Sequence, residues 1–169
     1  MDRDNTYDNL YPPFVDLLKQ FEEKLKTNNI EAFPFETYRS FDRQLELYKQ
    51  GREWDSKKES WIVISKKKII TNALPGLSYH AYGLAVDFAF DADSKKAGIQ
   101  WSWDNKFPWT TLGEYGKDCG LEWGGDWQTF PEYPHFQKTW GLPIHKAYDI
   151  FQSGGIKAVW KELDKYDKT

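Results

Sequence analysis

Four residues of this chain have the types and the order that metal-assisted hydrolysis requires: His80, Asp87, Glu132 and His135. Two imidazoles and a carboxylate are ligands that zinc accepts, and three such ligands leave the fourth position of a tetrahedral ion open. Glu132, three residues before His135, is placed to act as a general base on the water that such an ion activates and to return the proton to a leaving amine. Arg39 follows a run of mostly apolar residues and is a fifth candidate. A guanidinium there can fix a substrate carboxylate or steady a tetrahedral oxyanion. Its alternative role is a salt bridge to the helix that follows.

Taken singly, a His on a strand is more often a satisfied structural residue than a ligand. Asp87 is different, because it sits between Val86 and Phe88 in an apolar strand. Burying a carboxylate there costs several kcal/mol unless a cation or several donors compensate it. A metal is the simplest compensation, and His80 lies just upstream in the turn entering that strand. His135 is held between Pro134 and Phe136, where a stiff backbone fixes the direction of the imidazole. His145 has no ligand pattern around it and reads as structural or exposed. Cys119, at a helix end, reads as a small hydrophobe rather than a nucleophile.

These residues need elements to position them. Pro12-Pro13 followed by Phe14, Leu17, Leu18, Phe21 and Leu25 predicts an amphipathic helix ending near Asn28-Asn29. Ala32 to Tyr38 reads as a short strand. Ser40 is a natural N-cap for a second helix running through Gln50, which would bury Leu45 and Tyr48 and expose Arg43, Glu46 and Lys49. Arg52 to Ser60 reads as a polar loop, with Trp61–Ile64 and Lys68–Thr71 as short strands around a turn. Leu84–Phe90 is the strongest strand, with Asp87 facing the same way as Ala85 and Ala89. Trp109–Cys119 predicts a third helix closed by Gly120, and Leu121–Trp123 with His135–Gln137 completes a small sheet. Pro143–Tyr166 reads as two helices broken at Ser153-Gly154-Gly155. The expected fold class is α+β, a small and mainly antiparallel sheet carrying the metal site and flanked by helices.

Composition narrows the function classes. At 169 residues the chain suits one domain with a real core, and 18% aromatic content is high enough to line a groove as well as fill an interior. A net charge of −3 gives no broad basic field for nucleic acid. Lys66-Lys67-Lys68 reads as a solvated hairpin edge. A single cysteine rules out an intrachain disulfide, and no stretch approaches transmembrane length. The N-terminus has no apolar export region, so the expectation is cytoplasmic accumulation without a signal peptide, with action after release.

Several ordered blocks resemble one family. They are Tyr38-Arg39-Ser40 with Arg43-Gln44 and Leu47 to Arg52, then Thr71-Asn72-Ala73, then Ser78-x-His80-x-x-Gly83-x-Ala85-x-Asp87-Phe88, then Glu122 to Trp127, then Pro134-His135-Phe136-Gln137. In this order they are similar to the VanY-type D-alanyl-D-alanine carboxypeptidases, and within that family to the L-alanyl-D-glutamate endopeptidases of phage endolysins and bacterial autolysins. The resemblance implies a hedgehog/D-Ala-D-Ala peptidase-like fold, with one zinc ion held by His80, Asp87 and His135. It implies Glu132 as catalytic base, Arg39 in the substrate pocket, and Ser78 and Asp126 as pocket or supporting residues.

The substrate it implies is the peptide stem of bacterial peptidoglycan, cut at the L-alanyl-D-glutamate bond. The endopeptidases of this group often carry Asp where this chain has Glu132, and their carboxypeptidase relatives carry Glu. A D,D- or L,D-carboxypeptidase is therefore the alternative, and a non-catalytic zinc-containing wall-binding module is a third reading. The expected organisation is one zinc peptidase domain over 1–169, with 139–169 a C-terminal helical extension. The expected partners are the stem peptide alone, with no nucleic acid, no membrane span and a monomeric chain.

Overall fold

Helix α1 (Pro12–Thr27) forms where two prolines occupy the first turn, which has no need of their missing N–H groups. Its buried stripe is Phe14, Leu18, Phe21 and Leu25, one face of a 3.6-residue period, and Leu17 falls on the half-buried edge. The structure is a computed structural model that describes residues 3–166. Met1 and Asp2, and Asp167, Lys168 and Thr169 of the C-terminal extension, lie outside the described residues.

After α1 come β1 (Ala32–Glu36), α2 (Phe41–Tyr48), β2 (Arg52–Asp55), β3 (Ser60–Val63) and β4 (Ala85–Asp91). They are followed by β5 (Trp101–Ser102), α3 (Trp109–Asp118), β6 (Glu122–Trp123), β7 (His135–Gln137) and α4 (Ile144–Leu163). Strand β4 organises the larger sheet. It pairs antiparallel with β1 on one side and β7 on the other, β6 extends the sheet beyond β7, and β5 pairs with the end of β4.

The alternation of β4 divides two jobs between its faces. Val86, Phe88 and Phe90 turn to the core, where the Phe21 ring of α1 lies 5.0 Å from both Phe88 and Phe136. Asp87 turns to the opposite face, between the small residues Ala85 and Ala89. The register aligns it with His135 on β7 and with Glu36 on β1. That last pairing depends on an irregularity between Pro34 and Glu36, without which Phe35 would stand opposite Asp87.

Five local expectations are corrected. In α2 the buried residue is Gln44, while Leu45 and Tyr48 are half-buried, because the Gln44 amide is drawn inward to Arg39 and the Ala73 carbonyl. Arg43 is half-buried rather than exposed, drawn to Glu36 by its Nε at 3.0 Å. Arg52–Asp55 is a strand, paired with Ser60–Val63 so that Trp54 faces Trp61; its polar sequence hides the pairing because neither face of this two-stranded sheet is deeply buried. Lys68–Thr71 is not a strand, and Lys66–Lys68 forms an exposed 3₁₀ turn rather than a hairpin edge. The Ser40 cap is present, accepting from Arg43 N at 3.2 Å, and the break in the last helix falls at Gly155, with φ 67° and ψ −170°. Among the described residues no helix is long and apolar enough to cross a membrane.

The short 3₁₀ turn Tyr79–Tyr82 delivers His80 to the sheet, and Gly83 ends it at φ 69° and ψ 31°. A Cβ there would lie 2.3 Å from the Asn9 carbonyl oxygen and 2.9 Å from Leu10 Cα, both backbone. Gly83→Ala is therefore expected to cost at least about 2 kcal/mol, or roughly 4–8 °C in Tm at this chain length, measured by thermal unfolding.

Candidate metal centre

His80, Asp87 and His135 converge from the 3₁₀ turn, β4 and β7 on one buried point. His80 Nε2 and His135 Nδ1 each lie 3.2 Å from Asp87 Oδ1, and 3.2 Å from one another. Ligands about 2.0 Å from a tetrahedral ion stand about 3.3 Å apart, so the three atoms have the spacing of one face of such a site. Among the described residues this is the cluster with the donors to hold a metal ion.

The outer atoms of both rings fix which nitrogen faces inward. His80 Nδ1 lies 2.6 Å from the Thr37 carbonyl oxygen, which can only accept, so Nδ1 carries the proton and Nε2 presents a lone pair. For His135 the logic runs through two residues. The Glu122 carboxylate accepts from the Gln137 amide nitrogen at 3.0 Å, which turns the Gln137 oxygen to His135 Nε2, also at 3.0 Å. Nε2 must therefore donate, and Nδ1 faces the centre as an acceptor. Two imidazole lone pairs and a carboxylate oxygen meet with no hydrogen of their own between them. The cluster demands a positive charge, and the donor set fits zinc.

The same demand is visible as proton affinity. Burial opposes a charge on His135, but its hydrogen bond to Asp87 and that carboxylate's charge outweigh burial and raise its pKa. His80 is pushed down by burial and by Arg39, so it remains neutral. Asp87 is held well below the ordinary carboxylate range: burial works against its ionisation, and His80, the Arg39 guanidinium and the ring hydrogen bonds overcome it. With His80 neutral, Arg39 is the permanent part of that stabilisation.

Arg39 is 7% exposed and committed mainly to the protein. It donates to Asp87 Oδ2 at 2.5 Å, to Glu36 Oε2 at 2.6 and 2.9 Å, and to Gln44 Oε1 at 3.2 Å. Burial disfavours its charge, and the carboxylates of Asp87 and Glu36 more than restore it. Its ion pairs run to the strand before it and to β4, where the sequence suggested a bridge to the following helix. Arg39 still lines the cavities beside the cluster, but its first role is to hold the second oxygen of Asp87.

Glu132 reaches the cluster from the loop before β7, its Oε2 3.9 Å from His135 Nδ1 and its side chain about a quarter exposed at 26%. Burial, reinforced by the Asp87 charge and opposed by His135 and Arg39, holds its pKa above the ordinary glutamate value. Gly124 shapes this turn. A Cβ there would meet the Glu132 carbonyl at 2.7 Å and His135 Cβ at 3.0 Å, and the Gly124 carbonyl accepts from Glu132 N at 3.0 Å. Ser78 lines the adjoining cavity. Asp126 is not brought to the centre: its side chain is 52% exposed and pairs with Lys117 at 2.9 Å. His145 is exposed on α4.

Two cavities, of about 520 and about 560 Å³, meet at Glu132 and His135. The first is mixed, with Thr71, Asn72, Ser78, Thr129 and Gln137 beside Leu77, Trp127 and, from the start of α4, Ile144. The second is apolar, with Phe35, Ile70, Trp103, Pro131 and Tyr133. Phe130, Glu132, Arg39 and His135 border both. Thr37, Glu36, Gln44, Glu122 and Gln137 are the supporting residues that reading of the sequence did not identify. Gln137 alone carried a local signal, since it lies two positions from His135 on one strand and shares its face.

Comparison with known proteins agrees with this arrangement. The family model of D-alanyl-D-alanine carboxypeptidases, a branch of peptidase family M15, matches residues 71–138. The peptidoglycan L-alanyl-D-glutamate endopeptidase CwlK of Bacillus subtilis (strain 168) is 38% identical over 131 residues, covering 72% of this chain and 71% of that protein. Among solved structures, the L-Ala D-Glu endopeptidase ChiX of Serratia marcescens superposes with a TM-score of 0.50 at 23% identity, over 82% of this chain and 91% of that one. The vancomycin-resistance D,D-pentapeptidase VanY, solved in complex with Zn(II), superposes at 0.55 with 17% identity, over 94% of this chain and 87% of that one. The two structural likenesses are likenesses of fold, while the relative from Bacillus carries the relationship in sequence across most of both chains. On that relationship, and on the matched block that contains His80, Asp87, Glu132 and His135, the chain belongs to the D-alanyl-D-alanine carboxypeptidase family of M15 peptidases.

Proposed function

We propose that this protein is a zinc peptidase that hydrolyses the L-alanyl-D-glutamate bond in the peptide stem of bacterial peptidoglycan. The carrying observation is the three-donor cluster at the junction of two cavities, in a chain 38% identical to an endopeptidase of that specificity. An endopeptidase must accommodate substrate on both sides of the cut bond, and the groove continues on both sides of Glu132. A carboxypeptidase needs a cation free to receive a terminal carboxylate. Arg39 and Arg43, the guanidiniums bordering the cavities, are already paired with Glu36, and Arg39 also with Asp87. The family model's description and the presence of Glu132 favour the carboxypeptidase as the second reading.

His80, Asp87 and His135 would hold the ion. A zinc held there supplies a lowered pKa for water and polarisation of the scissile carbonyl. Glu132 faces the same point and takes one proton from the attacking water as its oxygen bonds to the carbonyl carbon. Its raised pKa suits the second half of the reaction, in which the same proton passes to the departing amine as the C–N bond breaks. Arg39 is a positioning residue, keeping Asp87 ionised and oriented. The segment 139–166 is part of the same catalytic unit, since α4 begins at the groove with Ile144 and is tied to the His80 turn by Trp160 Nε1 donating to the Tyr82 carbonyl at 2.8 Å.

Zinc at about 100 times its dissociation constant is expected to stabilise the protein by about 2.7 kcal/mol, or roughly 5–10 °C in Tm, and His80→Ala should abolish that rise. An equal rise in His80→Ala would mean that the ion binds elsewhere. Glu122→Gln removes the obligate acceptor that orients Gln137, and zinc affinity should fall about 10–100-fold in a competitive chelator titration. Incubation with muropeptides, with mass spectrometry of the products, tests the reaction. Chelator-sensitive release of a fragment beginning at D-Glu is the expected result, and Glu132→Gln should retain zinc but release none. Loss of a single terminal D-residue would replace the endopeptidase by the carboxypeptidase.

A further inference from the structure

The apolar cavity has more exposed aromatic surface than a peptide of small and acidic residues calls for. Trp103, Phe130 and Tyr133 border it and are 44%, 39% and 45% exposed, while much of the chain's other aromatic weight is packed inside. Large apolar groups left in water beside a reacting centre mark a contact surface. These rings are also held firmly. Trp103 stands at 88° to Phe35 with centroids 4.6 Å apart, and Phe35 is itself braced by Trp101 at 5.2 Å and by the Arg3 guanidinium 3.8 Å above its ring. Phe130 holds a left-handed backbone with φ 58°, a conformation that costs a bulky residue about 1 kcal/mol or more and persists only where its surroundings impose it.

Both cations bordering this cavity are already paired, and its one other charge outside those pairs is Glu132 at the junction. Arg39 is bound to Glu36 and Asp87, and Arg43 donates to Glu36 Oε1 at 3.0 Å and lies 3.5 Å from Glu46. No lysine borders it among the described residues. The surface therefore suits a neutral ligand with one apolar face and polar edges. A pyranose ring has that character, since its axial C–H bonds make a face that packs on an indole or phenyl ring while its hydroxyl and acetamido groups remain in water. In peptidoglycan the L-alanine of the stem is joined through a lactyl ether to such a sugar, so a cut after L-alanine brings the sugar to within one residue of the metal.

We propose that the apolar arm of the groove binds the neutral N-acetylated sugar that bears the stem peptide, with Trp103 as its platform. The arm lined by Ser78, Thr129 and Gln137 then takes the D-glutamyl side. The proposal rests on the peptidase reading above, and it makes the enzyme one that prefers stems still attached to glycan.

Calorimetric titration of the zinc-loaded Glu132→Gln protein tests it, using a disaccharide-linked stem peptide and the same peptide with an acetyl group in place of the sugar. The sugar-linked compound should bind about tenfold more tightly, the size expected of one well-stacked ring. Trp103→Ala should reduce that preference to within about twofold, and Trp103→Phe, which keeps a ring, should retain most of it. Equal affinities for the two compounds, or a preference undiminished in Trp103→Ala, would overturn the sugar site. Should wild-type protein with zinc cleave neither compound while the tenfold preference persists, the peptidase reading falls and the sugar site stands.

Discussion

Three lone pairs aimed at one buried point set the terms for everything built around them. His80 Nε2, Asp87 Oδ1 and His135 Nδ1 stand 3.2 Å apart, close enough to repel unless a positive charge lies among them. The protein makes that arrangement obligatory from its periphery. A backbone carbonyl on one side and a carboxylate acting through Gln137 on the other take the outward N–H groups, and neither can donate in return. Orientation of the site is thus decided by groups that never touch the metal position.

The sheet register supplies the charge balance that this constraint needs. Glu36, Asp87 and His135 lie in one row across β1, β4 and β7, and Arg39 bridges the first two. A single bulge in β1 brings Glu36 rather than Phe35 into that row. The opposite face of the same strands carries Val86, Phe88 and Phe136, buried against α1. One pleat therefore separates a hydrophobic core from a network of buried ions, and a slip of one residue would exchange them. Such networks tolerate little editing, because removing one partner leaves the others buried and unpaired.

Around this rigid centre the groove is asymmetric. One arm mixes polar groups with Trp127 and the other, around Trp103 and Tyr133, is mainly apolar, with Glu132 at the junction. The pKa of Glu132 is raised by the same burial that shields the cluster, so the exclusion of water that strengthens the electrostatics also tunes the base. Gly124 lets the loop close onto β7 tightly enough for one short segment to carry both the base and a metal donor.

The inner residues of the site could be picked out from local sequence alone. Asp87, His80 and His135 were legible as a carboxylate in an apolar strand, a His in the turn entering that strand and a His between Pro134 and Phe136, and Glu132 was a candidate from its place three residues before His135. The helices α1 and α3 and strand β4 were legible for the same reason, since their periodicity and caps are local. Their partners came from elsewhere in the chain. Arg39 and Asp87 are 48 positions apart, His80 and Thr37 are 43 apart, and Gln137 and Glu122 are 15 apart, so no local pattern could pair them. Tertiary structure also moved Asp126 to the surface with Lys117 and made a hairpin of Arg52–Val63, whose polar residues give no burial period to read. Hydrophobic periodicity reports which face of an element is buried. Which acceptor waits behind a buried imidazole depends on how the strands register, and that is settled only when the sheet closes.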